Sequence, residues 1–200
     1  MIKRKEKHPE WFYDVPDMRT IILGTYPPTE PRWDYPFYYP NKINRFWKAM
    51  AAVAGKELKY FKDKEAVDER KSLMDELKVG VQNLGKTIER EDESASDDKI
   101  EILEFFDLKK LIGESSTLKN IFLTGYSGKT STYTDFLRYL ELEGIEVGKH
   151  PKMPCAGYTF LLHLNGKEFK VIVGNSTSAA ARRITLDTVI EQFRGAIFKL

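Results

Sequence analysis

Apolar residues fall in short runs separated by longer stretches with helical spacing. The runs TIILGTY (20–26), VGVQNL (79–84), NIFLTG (120–125), YTFLLHL (158–164) and FKVIVGN (169–175) are rich in β-branched and aromatic residues, and most are bounded by Gly, Asn or Pro. They predict strands. TIIL, IFL and VIV are continuous rather than alternating, the pattern of parallel strands covered on both faces. Between them the spacing predicts helices over about 43–54, 63–77, 101–113, 130–143 and 185–194. Asn44 or Ile43 opens the first, Asp63 caps the second, and Thr185 with Asp187 opens the last. Strands alternating with helices imply a three-layer α/β/α sandwich around a central, mainly parallel sheet. HLNGKEF adds an antiparallel hairpin at about 158–175, because Asn165-Gly166 between two strands is the signature of a type I′ turn. KTIEREDESASDD (86–98), charged and Ser-rich, reads as a surface loop.

The length of 200 residues fits a single domain spanning 1–200, large enough to bury a sizeable core. A hydrophobic fraction of 42% and an aromatic fraction of 12% exclude a disordered chain. With 32 basic and 30 acidic residues the net charge is only +2, so nucleic-acid binding would rest on a local patch. The single Cys155 excludes an internal disulfide and a four-cysteine zinc or iron–sulfur site. No apolar run approaches 18 residues, and MIKRKEKHPEW has no apolar stretch behind its charges. These features predict no membrane span and a cytoplasmic location, and with no Asp/His cluster in the sequence no metal or other cofactor is expected.

Ligands of open α/β sheets bind outside the carboxyl ends of the strands. Four such ends, GTYPP, QNLGKT, GYSGKTS and GNSTSAAA, are rich in small polar residues that suit phosphate or base-edge contacts and equally make turns. GYSGKTS imitates a phosphate-binding loop through Gly128, Lys129 and Thr130. The first glycine of that pattern would fall on Leu123, however, and Gly125 stands two residues late. A strand-to-helix turn, with Lys129 near a backbone phosphate or solvent, fits better.

The most telling stretch is FYYPNKINRFWKAM (37–50), where aromatics run into two asparagines at the mouth of a helix. Taken in order with ILGTYPP, VGVQNLGKTIEREDESASDDKI and NSTSAAAR, it resembles the uracil-DNA glycosylase superfamily. The similarity is greatest to the branch of hypoxanthine and mismatch-specific uracil glycosylases, and covers most of residues 20–183. The Tyr-Tyr followed by Asn-x-Phe-Trp is its most specific element. The resemblance implies a monofunctional DNA repair enzyme that hydrolyses the glycosidic bond of a deaminated base, uracil or hypoxanthine, flipped out of DNA.

On that resemblance, Tyr26 stands where many members carry a catalytic Asp or Asn. The water-positioning role passes to Asn44. Asn44 also suits a helix cap. Gly24, Tyr26, Pro27, Tyr38, Tyr39, Gln82 and Asn83 would bind the base. The tyrosines would stack on it or pack in the core, and Gln82 and Asn83 would read its edge or simply turn the chain. Lys129, Asn175, Ser176, Thr177, Ser178 and Arg182 would meet the DNA backbone. The late loop reads NSTSAAA, without the His found there in some members. His8, His150 and His163 stand elsewhere, and His163 reads as structural. These departures leave a second reading, a non-catalytic nucleic-acid or nucleotide-binding protein on the same scaffold. An NTPase using Gly128-Lys129-Thr130 is the third.

Overall fold

A computed structural model describes residues 3–92, 99–128 and 130–198. Two sheets organise the chain. The central one has the order β3-β2-β6-β8-β7, built from β2 (Thr20–Gly24), β3 (Val79–Asn83), β6 (Asn120–Thr124), β7 (Thr159–Leu164) and β8 (Lys167–Gly174). The first four in that order run parallel, and β7 pairs antiparallel with β8. All five residues of β2, β3 and β6 are buried, as a strand covered on both faces requires. The β7–β8 hairpin turns at Asn165 (φ 52°) and Gly166 (φ 72°), the two positive values a type I′ turn needs. The expected mainly parallel α/β sandwich is therefore the observed one.

Five α-helices are formed among the described residues: α1 (Phe46–Val53), α2 (Asp63–Leu77), α3 (Leu108–Glu114), α4 (Thr132–Leu142) and α5 (Leu186–Phe198). Local chemistry fixes several starts. Ser131 and Thr134 bond reciprocally in a capping box at α4. The Thr185 hydroxyl accepts from the Thr188 N–H at 3.1 Å before α5. Asp63 does not cap α2 as expected. It is the first helical residue, at φ 58°, and no side chain caps that helix. On one face of the sheet, Phe193 of α5 meets Phe122 of β6 and Phe46 of α1 edge-on, each at 5.3 Å.

A second, antiparallel sheet with the order β1-β4-β5 corrects two sequence expectations. It consists of β1 (Lys3–Lys7), β4 (Gly85–Glu91) and β5 (Ile100–Phe105). The helix expected over 101–113 is a strand and then the shorter α3. Over residues 100–103, Ile100 and Ile102 are buried while Glu101 and Leu103 are exposed, a period of two. The Asp107 carboxylate then accepts from the Lys110 N–H at 2.9 Å and starts α3. The loop expected over 86–98 is β4 up to Glu91, and residues 93–98 lie outside the described residues. Arg90 made that stretch look solvated. Its guanidinium is in fact fully buried, with Glu6 at 3.1 Å and the Pro27 carbonyl at 2.9 Å.

β2 connects toward β3 on one side and β6 connects toward β8 on the other. The connections therefore diverge between the carboxyl ends of β2 and β6, which is where such sheets open a crevice. Among the described residues no helix is long and apolar enough to cross a membrane.

Candidate functional site

The crevice is a cleft of about 650 Å³, walled by the carboxyl ends of β2, β3 and β6 and by the loop after β8. Gly24, Tyr26 and Pro27 after β2, Tyr39 and Asn44 before α1, Asn83 at the end of β3, and Ser176, Thr177 and Ser178 after β8 all line it. Nine of the residues singled out from sequence thus meet in one cavity.

Gly24 sits at its centre. A Cβ there would stand 2.7 Å from Asn83 Oδ1 and 2.8 Å from the Tyr39 hydroxyl, so two polar groups converge over a backbone that carries no side chain. Tyr39 lies flat on Phe46, centroids 3.8 Å apart and planes 9° apart. Its hydroxyl shares a hydrogen bond with Thr124 Oγ1 at 3.0 Å. The Thr25 and Thr132 hydroxyls, also in the lining, lie 3.1 Å apart.

Tyr26 is half-buried and its hydroxyl is buried without a hydrogen-bond partner. Burial pushes that phenol well above its ordinary pKa, Glu6 adds to the rise, and Arg90 partly opposes it. The Arg90 guanidinium lies over the Tyr26 ring, 5.6 Å from its centroid, and its bond to the Pro27 carbonyl holds the GTYPP loop.

Asn44 lines the cleft and at the same time accepts from the Phe46 N–H at 2.9 Å through Oδ1. The helix N-cap is Arg45, without a side-chain cap, so Asn44 stands one residue ahead of it and braces the first turn through this bond, with one oxygen lone pair and the NH₂ group left over. Its neighbour Arg45 ties the first helix to the late loop, its N–H donating to the Thr177 carbonyl at 3.0 Å and its guanidinium to the Ser178 carbonyl.

Other expected residues are placed elsewhere. Tyr38 and Gln82 do not face the cleft; they are 1% and 3% exposed. The Tyr38 hydroxyl donates to Gln82 Oε1 at 3.0 Å, and the same oxygen accepts from the Asn83 N–H at 2.8 Å, so the pair braces Asn83 from behind. Asn175 is buried and its N–H donates to Gln192 Oε1 at 3.0 Å. Arg182 is exposed in the turns before α5 and is not part of the lining. Lys129 lies outside the described residues.

Sequence reading missed several members of the site. Arg32 brings a guanidinium to the lining, and Ile43 stands at the rim 60% exposed. His8 is the least expected. It follows β1, and its Nε2 lies 2.9 Å from Asn83 Nδ2. Only the pairing of β1 with β4 brings it there, through a His8 N–H to Lys86 carbonyl bond of 2.9 Å. Among the described lining residues there is no carboxylate, imidazole or lysine. The available chemistry is that of amides, hydroxyls, aromatic faces and one guanidinium.

No protein-family model and no curated protein sequence matches the chain. The fold is similar to the solution NMR structure of a putative uracil DNA glycosylase from Methanosarcina acetivorans. The TM-score is 0.56 at 20% identity, covering 90% of this chain and 91% of that one. At this identity the likeness is one of fold, and the architecture is a uracil DNA glycosylase-like α/β fold.

Proposed function

We propose that this chain is a DNA glycosylase of the uracil-DNA glycosylase superfamily. In this reading it hydrolyses the bond between deoxyribose and a deaminated base, uracil or hypoxanthine, extruded from DNA into the cleft. The observation that carries the proposal is the convergence of Asn83, Tyr39, Tyr26 and Asn44 at the β2/β6 crevice. It puts two amides and two aromatic rings into the lining of one cleft. The likeness of fold supports it.

Glycosidic hydrolysis builds positive charge on the sugar and negative charge on the departing base. A cationic sugar needs a placed water more than a strong base. Asn44, held by its bond to the Phe46 N–H, supplies an amide to hold that water. The departing base would be read by Asn83 and walled by Tyr26 and Tyr39. The start of α4 at Ser131 and Thr132 faces the cleft and presents the positive end of its dipole toward negative charge. Ser176, Thr177, Ser178 and Arg32 suit the DNA backbone, and Ile43 at the rim suits the space left by the extruded base. In this reading the reaction is simple hydrolysis without strand cleavage, carried out by a monomer, since one cleft reads one base. Release of uracil or hypoxanthine from defined oligonucleotides tests the proposal.

One observation favours a second reading, a base-binding protein without hydrolytic activity. Asn44 Oδ1 already serves the Phe46 N–H. Base binding without base release would select that reading.

A further inference from the structure

Asn83 presents an amide to the back of the cleft, and an amide can be turned either way round. Which end faces a ligand decides what the cleft accepts. The hydrogen bonds behind it determine the orientation. His8 Nδ1 lies 2.6 Å from the Pro9 carbonyl oxygen. A carbonyl can only accept, so Nδ1 carries the proton. In a neutral imidazole Nε2 is then a bare lone pair, and its partner at 2.9 Å must donate. Asn83 can donate only through Nδ2. Its oxygen is thereby turned to the opposite side, toward Gly24 and the Tyr39 hydroxyl.

The surroundings keep His8 in that state. Four rings enclose the imidazole: Trp11 at 5.5 Å, Tyr26 at 5.5 Å, Tyr38 at 5.9 Å and Phe106 at 5.1 Å. Burial among them lowers its pKa to about 4, so it is neutral at physiological pH.

We infer that His8 is a positioning residue that locks the Asn83 amide with its oxygen facing the cleft, and so selects a base with an N–H at the edge it reads. This inference rests on the base-binding reading of the cleft and adds a chemical rule to it. Cytosine and adenine carry a lone pair on the ring nitrogen of their pairing edge. Deamination to uracil or hypoxanthine converts that nitrogen to N–H. An oxygen-only reader meets the deaminated base with a hydrogen bond and the parent base with two opposed lone pairs. Sites built on such a contact discriminate strongly, because the wrong base leaves a buried polar group unpaired.

Two measurements test it. Long-range ¹H–¹⁵N spectra of the histidine-labelled protein at neutral pH should show His8 protonated at Nδ1 and bare at Nε2. A proton on Nε2 would overturn the inference, whatever the activity. Titration with uracil and with cytosine as free bases, followed by the Asn83 side-chain amide signals, reads selectivity without catalysis. Uracil should bind at least about tenfold more tightly than cytosine. In His8→Ala the preference should collapse to within about threefold, and in His8→Gln, which restores an acceptor, it should return. An unchanged preference in folded His8→Ala would overturn the positioning role. Base selectivity with no base release from DNA would leave this inference standing and refute only the hydrolytic proposal.

Discussion

Asn44 holds its amide oxygen 2.9 Å from the Phe46 N–H and is also part of the cleft lining, so one residue both braces the first turn of α1 and belongs to the site. The two roles separate on substitution. Asn44→Ala should cost about 1 kcal/mol of stability through the lost bond to the Phe46 N–H. It should also slow base release by about a hundredfold, corresponding to roughly 3 kcal/mol of transition-state contact, with DNA affinity nearly kept. Single-turnover rates and urea unfolding of the same sample check both numbers. A stability loss with an unchanged rate per folded molecule would reduce Asn44 to a brace of the helix.

Tyr26 offers the opposite test. Its hydroxyl is buried and unpartnered, which costs stability rather than adding it. Tyr26→Phe should leave stability unchanged or raise it by about 1 kcal/mol. Because the ring face is retained, base release should stay within about threefold of the parent. Thermal unfolding shows the first effect. A clear loss of stability would mean that the hydroxyl is bonded in solution.

Gly24 is where a single methyl reaches two side chains at once. A Cβ at Gly24 would stand 2.7 Å from Asn83 Oδ1 and 2.8 Å from the Tyr39 hydroxyl, and His8 and Thr124 hold those two residues in place. Gly24→Ala should therefore misplace both groups. We expect a cost of about 1–3 kcal/mol from overpacking. Base release should fall on the order of a hundredfold, as an ångström-scale shift at a reacting site produces. Parent-like release from this variant would show that neither group reads the base.

His8 and Asp135 pull stability in opposite directions as pH falls. Burial lowers the His8 pKa from 6.5 to about 4. The unfolded chain takes up that proton first, so stability that is full above pH 6.5 drains as pH falls toward 4. Burial raises Asp135 from 3.8 to about 6, with Arg138 partly opposing, so here the folded state takes the proton first and stability grows between pH 6 and 3.8. Each effect amounts to about 3 kcal/mol at 1.36 kcal/mol per pKa unit. They nearly cancel in the parent. Urea unfolding across this window should show stability rising on acidification in His8→Gln and falling more steeply than the parent in Asp135→Asn. Parallel profiles in all three proteins would contradict the burial of both groups.

The central sheet was legible because its strands show in local patterns. TIIL, IFL and VIV are continuous apolar runs, Asn165-Gly166 carries its own turn geometry, and α2 spans Asp63–Leu77 as expected. The small antiparallel sheet was not, because its evidence is long-range. Arg90 reads as solvent-facing until Glu6, 84 residues away, pairs with it. The cleft was legible where residues sit at strand ends. Gln82 was misplaced because alternation at a strand end does not say which side faces a cavity, and Tyr38 because an aromatic in a loop packs inward as readily as it faces a cleft. His8 had no local signal at all: its role exists only once β1 pairs with β4.

The most direct measurement uses oligonucleotides carrying a single uracil, hypoxanthine or xanthine, single-stranded and duplex, incubated with the protein and then treated with hot alkali. The account predicts strand breaks at uracil or hypoxanthine that appear only after the alkali step, as hydrolysis leaving an abasic site requires. Intact strands with every base in both forms, from protein shown to be folded, would contradict it.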